Sequence, residues 1–468
     1  MKKLFLKKIL GYIVKNKLYY ILSIIYRFLI VERLSNGKNK IIYSRVGNRT
    51  TILALDSDRY RDDLEVLASS PLLRVLCIRS KWQGVLINLL YDKDEITSLE
   101  YSRASSGDDI YNRIKEPAQE FMFQFLKVLF SMIKVDCVTN VNYRYIEDID
   151  WTLASEKIGI PYIMLYRECL LQKGTRIYSD VVQRHKAFNF HGSHVIVHNN
   201  SCKKSFIDSS FCDEKKISVI GALRMDKYLT TLKKSYSFTK NKRKRFVLFY
   251  FPYNMSLFGK RGSPPADYKY KYAFSIWPER KDFFKDVHSA IAELAIEFPD
   301  IDFVIKPKNI MMNSASWKYY EQVLKEIDFD INGVNNYSIE PNADVHELIF
   351  DSDVICALQS SAAIEAAISG KHVILPVFEN YRNTENYQDF SWRKHLELFD
   401  IANNKQHFKA LIIGLMDSHN VNNDILDKRQ KVFRDFFNDL DGVSLNGYVD
   451  VITNVSSSSN NLNHGVAR

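Results

Sequence analysis

The chain has 468 residues, 46% hydrophobic and 26% charged, which suits two globular domains of ordinary size and excludes a disordered or fibrous polymer. Its formal charge of +10 is uneven: residues 1–33 carry a net +7 and residues 240–245 (KNKRKR) another +5. The remainder is therefore near −2, without the spread positive charge of a nucleic-acid-binding surface.

Residues 18–31 (LYYILSIIYRFLIV) form an apolar run of 14 residues that includes Arg27, too short to span a bilayer. No small-residue cleavage site follows, so the pattern of a secretory signal is absent. Residues 1–33 are predicted as a basic amphipathic helix lying on an anionic membrane surface, with packing against the first domain as the alternative. Over 34–228, apolar strands at 51–55, 73–78, 136–139, 161–165, 194–198 and 217–220 alternate with helical stretches. That alternation predicts a doubly wound, Rossmann-like domain.

Residues 229–245 have no apolar period and are predicted as a linker. The run 246–251 (FVLFYF) opens a second Rossmann-like domain over 246–400, which contains a long loop at 259–272. A helical segment over 401–455 follows, and the polar stretch 456–468 is expected to be disordered. The six cysteines (77, 137, 169, 202, 212 and 356) form no Cys-x-x-Cys pair and read as thiols of a reducing cytoplasm.

The most informative stretch is 351–376, DSDVICALQSSAAIEAAISGKHVILP. An apolar strand leads into the polar turn Gln359-Ser360-Ser361 and then an Ala/Ile helix, with Gly370 at its C-cap and Pro376 ending the next strand. Two hydroxyls at a helix N-terminus after a parallel strand make an anion site, though an ordinary serine-capped αβ unit has the same pattern. Glu365 lies one helical turn past Ser361, at the reach of a ribose. Upstream, Ile305-Lys306-Pro307-Lys308-Asn309 follows another apolar run.

These residues resemble the donor-binding region of GT-B glycosyltransferases of the bacterial surface-polysaccharide type: Kdo transferases, sialyltransferases and CDP-glycerol transferases. The resemblance is best over residues 190–380. It implies an α/β GT-B fold, two Rossmann-like domains facing an interdomain cleft, with the acceptor bound by 34–228 and the nucleotide sugar by 246–400. Gln359, Ser360, Ser361, Glu365, Lys306 and Lys308 would bind a CMP- or UDP-linked sugar, and no cofactor is implied. Lys308 stands where those families usually carry His.

Gly221-Ala222-Leu223-Arg224-Met225-Asp226 follows the last strand of the first domain and is similar to a run that faces the cleft in retaining β-Kdo transferases. That likeness implies Asp226 as a nucleophile forming a glycosyl adduct, with Arg224 balancing phosphate or sugar carboxylate. An aspartate capping the helix that starts at Met225 is the alternative. Glu168, after strand 161–165, is a candidate acid–base group, and its neighbour Arg167 a candidate for an anionic sugar; a surface Arg/Glu pair is the bland reading. The two Asp-x-Asp runs (56–58 and 351–353) supply too few ligands for a metal, and no Walker motif or nucleophile elbow occurs.

The expected protein is a metal-independent glycosyltransferase, peripheral at the inner face of the cell membrane, moving Kdo from CMP-Kdo to a lipid-linked or growing surface glycan. The alternatives are a CDP-glycerol-type phosphotransferase or nucleotide-sugar epimerase on the same fold, or a non-catalytic GT-B scaffold in a glycan-assembly complex.

Overall fold

Short apolar runs separated by helices bury both faces of a parallel sheet, and the chain builds two such sheets. The computed structural model describes residues 2–42, 48–91, 109–143, 146–168, 170–173, 175–186, 189–234, 243–252, 278–382, 387, 390–418 and 421–465. Two compact units result. One comprises Met1–Cys169, Val181–Lys233 and Phe437–Arg468, the other Leu170–Asp180 and Lys234–Phe436.

The sheet of the first unit contains β1 (Val31–Arg33), β2 (Asn39–Ile41), β3 (Thr50–Ala54), β4 (Leu73–Cys77), β5 (Cys137–Asn140), β6 (Tyr162–Leu165), β7 (His194–Val197) and β8 (Ile217–Val219). Their order is β2-β1-β4-β3-β5-β6-β7-β8. From β4 to β8 all neighbours are parallel, while β1 runs antiparallel to both β4 and β2. Strand order reverses between β3 and β5, where their carboxyl ends diverge into a crevice.

The second unit has β9 (Lys244–Phe249), β10 (Ile301–Lys306), β11 (Tyr337–Ile339), β12 (Val354–Cys356), β13 (His372–Pro376) and β14 (Asp400–Ala402). All are parallel, in the order β11-β10-β9-β12-β13-β14. This is the mononucleotide-binding order of a Rossmann sheet, with its reversal between β9 and β12. The expected pair of Rossmann-like units is present.

The structure departs from expectation at three places. The N-terminal segment is two helices, Lys2–Lys15 and Tyr19–Leu29, and residues 31–33 already belong to the sheet. Leu22, Ser23 and Tyr26 are buried; the Tyr26 hydroxyl donates to the Trp82 carbonyl at 2.8 Å and its ring meets Phe125 edge-on at 5.0 Å. Residues 1–33 are thus part of the first unit, because the apolar run supplies a face for the helix Asp109–Met132.

The stretch expected as linker completes the helix Met225–Lys233 and begins β9, while its residues 235–242 lie outside the described residues. The loop 259–272 also lies outside them.

Of the tail expected to be disordered, residues 466–468 lie outside the described residues and 456–465 are helical, part of the continuous helix Ser444–Gly465. Its Tyr448, Val449 and Ile452 join the first unit's core. Thr453, Ser457 and Ser458 return their hydroxyl protons to carbonyls four residues back, at 2.8–2.9 Å, which satisfies a polar sequence inside a helix. The close approach of this segment explains Gly221, which sits at φ +126°. A Cβ there would lie 2.8 Å from the Phe437 carbonyl oxygen.

In the second unit His288 is fully buried among Phe284, Tyr250, Phe251 and Tyr320. Among the described residues neither ring nitrogen has a hydrogen-bond partner. Burial lowers its pKa from 6.5 to about 3. The unfolded chain therefore takes up a proton below pH 6.5 that the native state refuses until about pH 3, so stability falls as pH drops through that window. His288→Leu should flatten this acid limb, read as a smaller loss of urea-unfolding free energy between about pH 7 and about pH 4. An unchanged limb would show that His288 does not titrate on unfolding.

Candidate functional site

The carboxyl end of β12 opens at the strand-order reversal of the second unit, and the serine pair stands there. Ser360 has extended backbone (φ −138°, ψ 149°) and caps the helix Ser361–Ile368, its hydroxyl accepting from the Ala362 amide at 3.2 Å. Ser361 is the first helical residue and is half-buried. Gln359 donates from Nε2 to Ser391 Oγ at 3.0 Å, which holds the turn. The start of the helix thus combines a positive dipole end with polar side chains.

Lys306 ends β10, two strands from β12 in the sheet order. Its Nζ donates to the carbonyls of Pro307 (3.1 Å) and Pro341 (2.9 Å), so it braces the strand-end loop. Lys308 is exposed and leads a 3-10 turn, Asn309–Asn313.

Glu365, one turn into the helix Ser361–Ile368, is 2% exposed, and its Oε2 lies 3.3 Å from His346 Nε2. Every residue from Ala362 to Ile368 is buried, so the helix offers no outward face to a carboxylate at this position. The one-turn spacing from Ser361 was sound, but the side chain turns inward.

In the first unit the strand-order reversal carries a charged cluster that the sequence reading missed. Asp56, just past β3, is 2% exposed with φ 52°, a left-handed conformation rare for a residue with a side chain. It pairs with Arg59, whose guanidinium is also 4.0 Å from Asp148 Oδ2. Asp148 in turn accepts from Asn140, the last residue of β5. The available signal is Asp56's place, two residues after the first parallel strand.

Arg167 belongs to the wall of this cluster. Its Nε is 2.8 Å from Asp63 Oδ2, and it donates to the Arg59 carbonyl. Burial lowers its pKa, while Asp63 acts to raise it. The guanidinium expected for an anionic sugar is therefore committed to an internal carboxylate. Arg224 is 5% exposed and lies 5.8 Å over the Phe437 ring. Glu168 stands exposed beyond β6, its carbonyl accepting from the Cys202 thiol at 2.8 Å. Among the described residues no three His, Cys, Asp or Glu side chains converge as a metal ion would require.

Asp226 is 6% exposed, and both carboxylate oxygens are engaged. Oδ1 accepts from the Ser444 amide at 3.1 Å and Oδ2 from the Leu445 amide at 2.7 Å. It satisfies the start of the Ser444–Gly465 helix, not that of the helix beginning at Met225, and this is the geometry of a cap rather than of a nucleophile held open for attack. Burial raises its pKa against the two amides, which lower it.

Several solved structures have a similar layout at low identity. UDP-GlcNAc 2-epimerase from Neisseria meningitidis, bound to UDP-GlcNAc, is 14% identical over 86% of this chain and 99% of that one, with a TM-score of 0.47. The wall teichoic acid polymerase TagF is 12% identical over 88% and 90%, with a TM-score of 0.43. Anabaena HepE with UDP and glucose is 12% identical over 87% and 100%, also at 0.43. No family model and no curated protein matches the chain. Likeness this distant assigns no substrate.

Asp226→Ala should cost about 0.5–2 kcal/mol of unfolding free energy, the usual worth of a helix cap. Urea unfolding measures this, and calorimetry with nucleotide should show unchanged affinity. A fully stable Asp226→Ala variant would remove the capping role.

Proposed function

We propose that the protein is a metal-independent enzyme of nucleotide-activated sugars, with the nucleotide phosphate seated over the N-terminus of the helix Ser361–Ile368. The observation that carries this reading is the coincidence of a serine-capped helix start with the β9/β12 reversal of an all-parallel sheet. Parallel sheets bind ligands in that crevice, and a helix N-terminus stabilises a phosphate through its free amides and dipole.

The reaction proposed is glycosyl transfer. The acceptor hydroxyl gives its proton to a base while its oxygen bonds to the anomeric carbon. The bond from that carbon to the phosphate oxygen breaks, and the phosphate leaves with the electron pair. Its charge meets the helix start and the cation Lys308. CMP-Kdo as donor, and a lipid-linked or growing surface glycan at the inner membrane face as acceptor, are the substrates suggested by the resemblance around the serine pair.

The engagement of Asp226 by two amides speaks against transfer through an Asp226 adduct and leaves a second reading on the same nucleotide site. This is epimerisation of a nucleotide sugar or CDP-glycerol-type phosphotransfer. Incubation with CMP-Kdo, UDP-GlcNAc or CDP-glycerol, followed by mass analysis of products, separates these activities from one another and from a scaffold that turns over none.

Calorimetry with CMP, CDP and UDP tests the site itself. Ser360→Ala with Ser361→Ala should weaken nucleotide binding, each lost hydrogen bond to a charged phosphate being worth about 1.5–3 kcal/mol. Thermal unfolding controls for the lost cap at Ser360. Unchanged affinity in the folded double variant would overturn the reading.

A further inference from the structure

The N-terminal helices are fixed on one side and bare on the other. Ten large hydrophobic side chains stand exposed among the described residues, and six of them belong to this pair: Ile9, Tyr12, Tyr20, Ile21, Ile24 and Phe28. Phe28 is 74% exposed, Tyr20 66% and Tyr12 65%. Tyr20, Ile24 and Phe28 are spaced by four, so they form one stripe along the helix Tyr19–Leu29. The opposite face, Leu22, Ser23 and Tyr26, is the buried one. This apolar stripe is therefore not a core face awaiting its own domain.

The exposed charge carried by the two helices themselves has one sign, with one acid from elsewhere, Glu120, beside Tyr19 and Lys17. Lys8, Lys15, Lys17 and Arg27 are exposed. Residues 1–33 contain a single acid, Glu32. Its carboxylate is turned inward, bonded to Arg49 at 3.0 Å and Arg74 at 3.2 Å. A second copy docked on this face would set like charges against one another, whereas an anionic bilayer answers both the cations and the apolar stripe. No helix among the described residues is long and apolar enough to cross a membrane, so the pair lies in the interface plane.

We infer that this preformed helical face docks the protein on an anionic lipid surface. Tyr12, Tyr20 and Phe28 sit at headgroup depth, Ile21 and Ile24 reach the acyl boundary, and Lys15, Lys17 and Arg27 meet lipid phosphates. The helices are already packed against the first unit, so docking needs no folding step and holds that unit at the membrane. The inference rests on the proposed function only for the choice of the inner cell membrane; binding to anionic lipid stands on the helices alone.

Cosedimentation of the full chain with phosphatidylcholine vesicles, with and without phosphatidylglycerol, tests it. The parent should bind only vesicles containing phosphatidylglycerol and be released by salt. Tyr20→Ser with Ile24→Ser and Phe28→Ser should lose about tenfold or more of vesicle affinity, with unchanged thermal unfolding because all three side chains are exposed. Lys15→Gln with Lys17→Gln and Arg27→Gln should abolish the preference for phosphatidylglycerol. Equal binding to both lipids overturns the inference, as does an unaffected serine variant. A parent dimer that the serine variant converts to monomer also overturns it, by making a second copy the occupant. Nucleotide calorimetry without vesicles reports on the serine-pair site alone, so failure of either proposal is visible without the other.

Discussion

A parallel sheet has no solvent-tolerant face, and both units are shaped by the need to cover two. Strands β4 and β5 are buried along their whole length, as is β12 in the second unit. The cover need not come from adjacent sequence. In the first unit it includes Tyr448, Val449 and Ile452, more than two hundred residues after the last strand of that sheet. Hydrophobic burial sets this demand, at about 25 cal/mol for each Å² withdrawn from water. The polar groups of the incoming segment must then be satisfied locally, which is the work of Asp226 and the back-bonded hydroxyls.

The two strand-order reversals solve different electrostatic problems. In the second unit the crevice sets polar side chains beside a helix start whose dipole favours an anion. In the first unit the crevice is lined by formal charges of both signs that neutralise one another, Asp56 with Arg59 and Asp63 with Arg167. Such pairs are costly to desolvate, and they hold geometry more than they add stability. The left-handed Asp56 marks where that geometry is enforced.

Strand positions were legible because the buried runs are nearly pure Val, Ile, Leu and Phe, and the serine pair because its turn chemistry is local. What stayed hidden depends on partners remote in sequence. Asp226 reads equally as a strand-end nucleophile or a cap, and only the amides of Ser444 and Leu445 decide its role. Glu365 keeps the spacing of a ribose ligand, yet His346 claims its carboxylate. The Ser/Asn-rich end of the chain looked disordered because side-chain to backbone bonding leaves no trace in hydropathy. The apolar run at 18–31 was read as serving either the membrane or the core. Its two faces differ: one is buried, the other bare.

The return of the last helix to the first unit fixes an order of assembly during synthesis. Every strand of the second sheet leaves the ribosome before residues 444–465 do, so that unit can close while the first still lacks part of its cover. Until then the hydrophobic surface that will meet Tyr448 and Ile452 stays open, and Asp226 has no amides to bind. The first unit's strands are thus made first and part of its cover last.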